Sequence, residues 1–410
     1  MPEPAETTRL ADSEIEIRII QTGSDLVESL GRVLSAVPDS PQGPQALAKR
    51  INVDKVLASR LLRAVKSSDE MSALHRFPGP EPLRRVLKGA SKVGVDAGLI
   101  DSAERAIDRF AGLIRDDLGD RGALDAIISA WVPEARRDFE IRWKQSAYKA
   151  MSQLKGVRAD ATLATAIIHP SSDGEHLDVV WLSGLIGLQR LRPGALVKLA
   201  TRRFIANGDG RRPLSLDGRE IDGYADAAVE AFSSTPMPRM EVHRVGEVMH
   251  YTLDADGFGP KSSQDLVLAE VNLAEMRRYL RPEEDRQGFF FAESAQPTKV
   301  LQFDAILHDD VYPGSEPRLH VYDTALDGVA DVNDPSRDLD RLELLESVEP
   351  LGRTVDRIGS SVIPRYGTLI RHVFDQLGWE RSAFRVHRSR IDYPVYGSQV
   401  AMCFDPPRRG

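Results

Sequence analysis

The strongest constraint on this chain is a change of hydrophobic period at Gly156. Ahead of it, apolar residues recur every three or four positions. Behind it, they come in short runs or strict alternation, bounded by Gly, Pro, Asn or Asp. A segment patterned for one period does not settle into the other, so the expectation is a multidomain chain: an all-α N-terminal region followed by an α+β C-terminal region.

In the front, "DLVESLGRVLSAV" puts Leu26, Leu30, Val33, Leu34 and Val37 on one face of a helix over 25–37. "PDSPQGP" breaks the chain, two short helical patterns follow, and "HRFPGPEP" breaks it again before "LRRVLKGASKVG". Ser102 is expected to cap "SAERAIDRFAGLIRDDLG", with Gly119 as its stop. "RGALDAIISAWV" and a long helix from Pro133 to the C-cap Gly156 complete the region. Along that last helix Phe139, Trp143, Ala147, Met151 and Leu154 share a face. Core packing is the first reading of that stripe, and a dimer seam the second.

In the rear, "ATLATAIIHP", "LDVVWLSGLIGL", "ALVKLATRRF", "EVMHYTL", "DLVLAEVNL", "GFFFAES", "KVLQFDAILH", "RLHVYDT" and "QVAMCFD" read as strands. "DAAVEAFSS", "LAEMRRYL" and "RYGTLIRHVFDQLG" read as helices between them. The expected organisation is a flexible tail at 1–22, a domain at 23–95, connecting or dimerising helices at 96–156, and an α+β domain at 157–410. The charged "RPEEDRQG" suggests a further division near 290.

No run of about 18 apolar residues is present, so no membrane span is expected. The acidic, polar N-terminus lacks the regions of a signal peptide, and the single cysteine, Cys403, leaves no internal disulfide. A reducing cytoplasm is the expected location. Net charge is −8, yet Pro41 to Val95 carries 11 Lys and Arg against 4 Asp and Glu. That is a local +7 on a body of −15, the distribution of a protein that meets phosphate with one part only.

Within the basic segment lies "LAKRINVDKVLASRLLRA", Leu47 to Ala64. It resembles the helix-turn-helix of bacterial transcription regulators, and the resemblance covers about residues 23–95. Ala48 is small where two helices cross closely. Leu47, Ile51, Val53, Leu57 or Ala58, and Leu61 supply a shared core. Asn52 holds the turn position usually given to glycine, and asparagine tolerates the left-handed backbone needed there. Ala58 stands where valine or isoleucine is commoner. Asp54 is expected to cap the second helix.

With those residues inward, Lys55, Val56, Ser59, Arg60 and Arg63 should face out. The resemblance places them in the major groove of double-stranded DNA, with Arg60 suited to a bidentate contact with guanine. It assigns Lys49, Arg50 and Lys66 to phosphates, with Gln45 as a further phosphate contact. The DNA-binding set is therefore Gln45, Lys49, Asp54, Lys55, Val56, Ser59, Arg60, Arg63 and Lys66. A winged variant would need a hairpin over Met71 to Phe77, and wing and plain loop both remain open. The function implied is a homodimeric, sequence-specific transcription regulator whose rear domain senses a small molecule or contacts a protein. The competing readings are an enzyme with its site in the α+β region, and an interaction scaffold reusing the helical fold.

Other motifs carry less. "HDDVYPG" and "HVYD" do not suggest a metal set, because successive strand residues face opposite sides. "WLSGLIG" lacks the glycine of a nucleophile elbow. "GDGRRP" and "GFGPKSS" lack phosphate-loop spacing and read as turns. Cys403 reads as buried. No catalytic residue, metal ligand or cofactor is assigned. Near the C-terminus Arg365, Arg371, Arg381, Arg385, Arg388 and Arg390 form a second basic patch. Either it is an anion-binding surface, or a helix and two strands whose arginines pair with acids. The second reading is preferred.

Overall fold

Helical periodicity ahead of Gly156 resolves into α1 (Pro4–Ser35), α2 (Gly43–Ile51), α3 (Lys55–Val65), α4 (Glu70–Arg76), α5 (Pro80–Lys92), α6 (Ala97–Gly112), α7 (Arg121–Trp131) and α8 (Pro133–Lys155). The coordinates are a computed structural model that describes residues 4–39, 43–203, 213–223, 225–245, 248–254 and 257–409. The chain divides into two units, Met1–Glu140 and Ile141–Gly410. Among the described residues no helix is long and apolar enough to cross a membrane.

Several boundaries differ from the sequence expectation. The segment expected to be a tail at 1–22 is helical from Pro4. Ile19 is fully buried and Ile15 packs on the same core, which anchors the N-terminal extension of α1. Where a wing or loop was expected, residues 70–76 form α4. Asp69 caps it by accepting the backbone N–H of Ser72 at 2.8 Å, and Ala73, Leu74 and Phe77 are buried. That helix leaves no hairpin over 71–77, so the winged alternative fails. The cap of α6 is Asp96 rather than Ser102, accepting from Gly98 and Leu99. Asn52, Gly119 and Gly156 take the left-handed backbone expected of them, with φ of 54°, 87° and 69°.

The helical unit also closes later than expected. Phe110 and Leu113 of the α6 region and Leu124 and Ile128 of α7 share one core with Leu47, Leu61 and Val86. Residues 96–140 are therefore part of the same packed body as 23–95, not a connector. On α8 the expected stripe is largely outside, with Trp143 49% and Leu154 72% exposed. The opposite face is covered: Tyr148 lies 5.3 Å from the Tyr393 ring, and Ser152 is buried.

Behind Gly156 come β1 (Val157–Pro170), β2 (His176–Arg190), β3 (Val197–Arg203), β4 (Met240–Val245), β5 (Val248–Leu253), β6 (Gln264–Arg277), β7 (Gly288–Glu293), β8 (Thr298–His308), β9 (Arg318–Asp323), β10 (Glu349–Gly352), α9 (Tyr366–Leu377), β11 (Phe384–Asp392) and β12 (Ser398–Phe404). A six-stranded sheet has the order β10-β11-β8-β1-β2-β6, and two three-stranded sheets have the orders β7-β12-β9 and β3-β5-β4. β1 and β8 are parallel and the other pairs antiparallel. Alternation along β1 and β8 sends Leu163, Ile167 and Ile306 under α9, and Ala166, Phe303 and Ala305 onto the β7-β12-β9 sheet. A helix, a large sheet and a small sheet thus stack as three layers.

Two helices expected here do not form. "LAEMRRYL" continues β6, because Met276 and Arg277 pair with Leu177 and His176. "DAAVEAFSS" supplies only the short turn Glu230–Phe232. The division expected near 290 is absent as well, since that point falls inside β7, and β6 and β8 on either side of it belong to one six-stranded sheet. "GFGPKSS" is a turn with Gly257 and Gly259 at positive φ, while "GDGRRP" lies, but for Pro213, outside the described residues. Cys403 is fully buried, and burial pushes its thiol up to about 12.

Candidate nucleic-acid interface

What fixes α2 against α3 is a shared apolar seam. Leu47, Ala48 and Ile51 are buried on α2, and Leu57, Ala58, Leu61 and Ala64 on α3. The connection is only Asn52, Val53 and Asp54. Asn52 turns the chain in the left-handed region, and Asp54, in extended backbone, accepts the Leu57 N–H at 2.8 Å. That bond satisfies one of the donors that the first turn of a helix leaves open. α5 crosses behind the turn at very short range. A Cβ at Gly89 would lie 2.2 Å from the Ile51 carbonyl oxygen, so only glycine permits this approach.

Fixing the seam fixes the opposite face. Lys55, Val56, Arg60 and Arg63 are exposed along α3, Ser59 is half-buried between them, and Val56 is 70% exposed. Gln45, Lys49, Arg50 and Lys66 are exposed beside them. The 11 residues of α3 make a rod of about 16 Å. Among the described residues, Lys49, Lys55, Arg60, Arg63 and Lys66 have no ion-pair or hydrogen-bond partner for their side-chain charges. Arg50 differs from its expected role, since it pairs with Asp39 at 3.0 Å.

Three further cations adjoin this face and were not singled out from the sequence. Arg85, Lys88 and Lys92 of α5 line a groove of about 530 Å³ together with Asn52, Asp54 and Leu57. They too have no side-chain partner among the described residues. Spacings of three and four along "LRRVLKGASK" put them on one helical face, which is the signal that could have found them. Arg84, their neighbour, turns the other way. It is held by Glu81, Glu104 and Asp108 at 2.6, 2.7 and 2.7 Å. The face can therefore neutralise phosphates along two helices, while Arg60 and Arg63 retain the planar forks suited to base edges.

The second basic patch is differently occupied. Arg388 grips the fully buried Asp304 with two bonds of 2.8 and 2.7 Å. Tyr366 donates to the same carboxylate at 2.5 Å, and burial together with Asp304 keeps that phenol protonated well above its ordinary range. Arg381 reaches Asp375 and Asp356, Arg390 reaches Asp392, and Arg385 donates to the carbonyls of His308, Val311 and Tyr312. Arg365 lies over the Phe232 ring at 4.9 Å, and Arg371 donates to Thr368. Three of the six arginines, Arg381, Arg388 and Arg390, thus pair with acids as the preferred reading has it, and the other three are held by carbonyls, a ring and a hydroxyl.

His308 sits in a ring cluster, 4.9 Å from His169 and 5.2 Å from Phe384, and His320 packs beside Tyr322 on another sheet. Among the described residues no three His, Cys, Asp or Glu side chains are grouped to hold a metal ion. Compared with protein-family models, with curated proteins and with solved structures, the chain matches none.

Proposed function

We propose that this chain is a sequence-specific regulator of transcription that binds double-stranded DNA through α3, with α2 and α5 on the flanking phosphates. The observation that carries the reading is the uncommitted charge of Lys55, Arg60 and Arg63 on an outward face, in a molecule whose other arginines are largely engaged. Asp54 and Asn52 set the angle at which that face is offered. Val56, exposed in the first turn, suits the methyl group of thymine. A helix of this length reads few base pairs, so a homodimer on a two-fold site is part of the proposal. The sheet unit is assigned to sensing a ligand or a protein.

Binding to duplex DNA across a salt series tests this. Neutralising five to eight phosphates gives a log–log slope of about −4 to −7. Arg60→Ala together with Arg63→Ala should weaken binding at least about tenfold, with unchanged helical circular dichroism. Lys66→Ala should reduce the slope by about one unit uniformly across sequences. A salt-independent interaction, or full affinity in the double variant, ends the proposal.

A further inference from the structure

The sheet unit holds a cleft of about 240 Å³, lined by β1, β2, β6, β3, β7 and the loop after β7. Leu182 packs under α9, so its neighbours Trp181 and Ser183 are carried on the other side of β2, into the cleft lining. Phe291 and Glu293 line it from β7. The loop is tied to β3 by Gln296, whose Nε2 donates to the Lys198 carbonyl at 2.7 Å.

The polar groups here are unusual in what they lack. Gln296 is 4% exposed, and its Oε1 has no partner. The amide cannot turn round to solve this, because its NH₂ is committed to a carbonyl. Ser294, next in the loop, is buried with its Oγ equally unmatched. The Glu293 carboxylate has no hydrogen bond or ion pair among the described residues. Buried acceptors without donors are costly and rare. A cleft lined by the fixed Gln296 amide, the exposed Glu293 carboxylate and the Trp181 indole is complementary to something that brings donors on an apolar body.

We propose that this cleft binds a small organic cation, a primary ammonium or amidinium on an apolar body, received by Glu293 and the Gln296 Oε1 and laid against Trp181. An anion is disfavoured by the same acceptors. Lys198, the other titratable side chain in the lining, does not act on Glu293: desolvation alone holds that carboxyl above its ordinary range. The volume lies below the roughly 300 Å³ at which sites for drug-sized ligands begin, so the occupant carries about one ring. None of this depends on whether α3 reads DNA.

Calorimetric titration of the full chain with benzylamine, benzyl alcohol and benzoate, three probes sharing one ring, tests the proposal. Benzylamine should bind with a Kd of the order of 1 mM, a typical efficiency for so few atoms. Benzyl alcohol should bind at least about tenfold more weakly, and benzoate more weakly still. Glu293→Gln, at an exposed and unpartnered position that places no demand on folding, should weaken benzylamine about tenfold and leave benzyl alcohol unchanged. Benzoate binding as tightly as benzylamine, equal benzylamine affinity in the variant, or no benzylamine binding at about 10 mM overturns it.

Discussion

"LRRVLKGASK" on α5 and "FRVHRSRID" on β11 look alike as text, each a basic run threaded with apolar residues. In the folded chain they are opposites. Arg85, Lys88 and Lys92 face a groove that Asp54 also lines, yet form no ion pair among the described residues, whereas Arg388 is clamped to Asp304 from 84 residues away. Charge density along a chain thus says little about charge that is available. What decides it is where the fold puts the carboxylates, and an outward helical face can escape them where a buried strand face cannot.

The sharpest way to break that comparison is to remove one carboxylate. Asp304→Ala leaves the Arg388 guanidinium, with its side chain only 15% exposed, without its counter-charge, and leaves the Tyr366 hydroxyl with Thr165 alone as a partner. Loss of about 3–5 kcal/mol is expected from the sheet unit in urea unfolding. Arg60→Ala, which deletes an unanswered exposed charge, should stay within about 0.5 kcal/mol of the parent. Similar costs for the two would mean that Arg60 is as engaged as Arg388.

The same contrast explains what was legible beforehand. The α2–α3 pair was readable because local rules specify it: apolar spacing, a left-handed residue at Asn52, a cap at Asp54. Strands in the six-stranded sheet were readable where both faces are buried and the text is continuously apolar, as in β1 and β8. β4, with five exposed positions in "MEVHRV", gave no such signal. "LAEMRRYL" misled because helical spacing and an exposed strand face look the same over eight residues, and only pairing with β2 decides. The tail, the connector and the α8 stripe failed for a shared reason: each depends on which surface a distant segment covers. The cations of α5 were visible as residues, but their grouping with the α2–α3 turn needed Gly89.

Gly89→Ala is the next test, now inside the helical unit. Alanine is the better helix former by about 1 kcal/mol, so intrinsic propensity alone predicts stabilisation. The new methyl would instead meet the Ile51 carbonyl oxygen, a backbone atom that cannot turn aside. Overpacking of this kind costs about 1–3 kcal/mol, so the net should be a modest loss. The more telling readout is DNA affinity. If the groove acts as proposed, separating α5 from the α2–α3 turn should reduce affinity by more than the stability change accounts for. A stabilised protein with intact DNA binding would mean that the close crossing carries neither fold nor function.

The smallest effect concerns the mirror image of the α3 cations, an uncommitted carboxylate in the acidic part of the chain. Glu293 has its folded-state pKa raised above the ordinary 4.5 by desolvation. Its contribution to stability is therefore fully present below that ordinary value and is lost as pH rises through the folded one. Glu293→Gln removes the dependence. Melting temperatures of parent and variant should coincide at about pH 4 and separate near pH 7, with the variant the higher. Saturating benzylamine should reverse the order at neutral pH, because a cation that binds the folded parent about tenfold more tightly than the variant restores what desolvation took away. A carboxylate kept for solubility would show neither the separation nor the reversal, whereas one kept for a cation must show both.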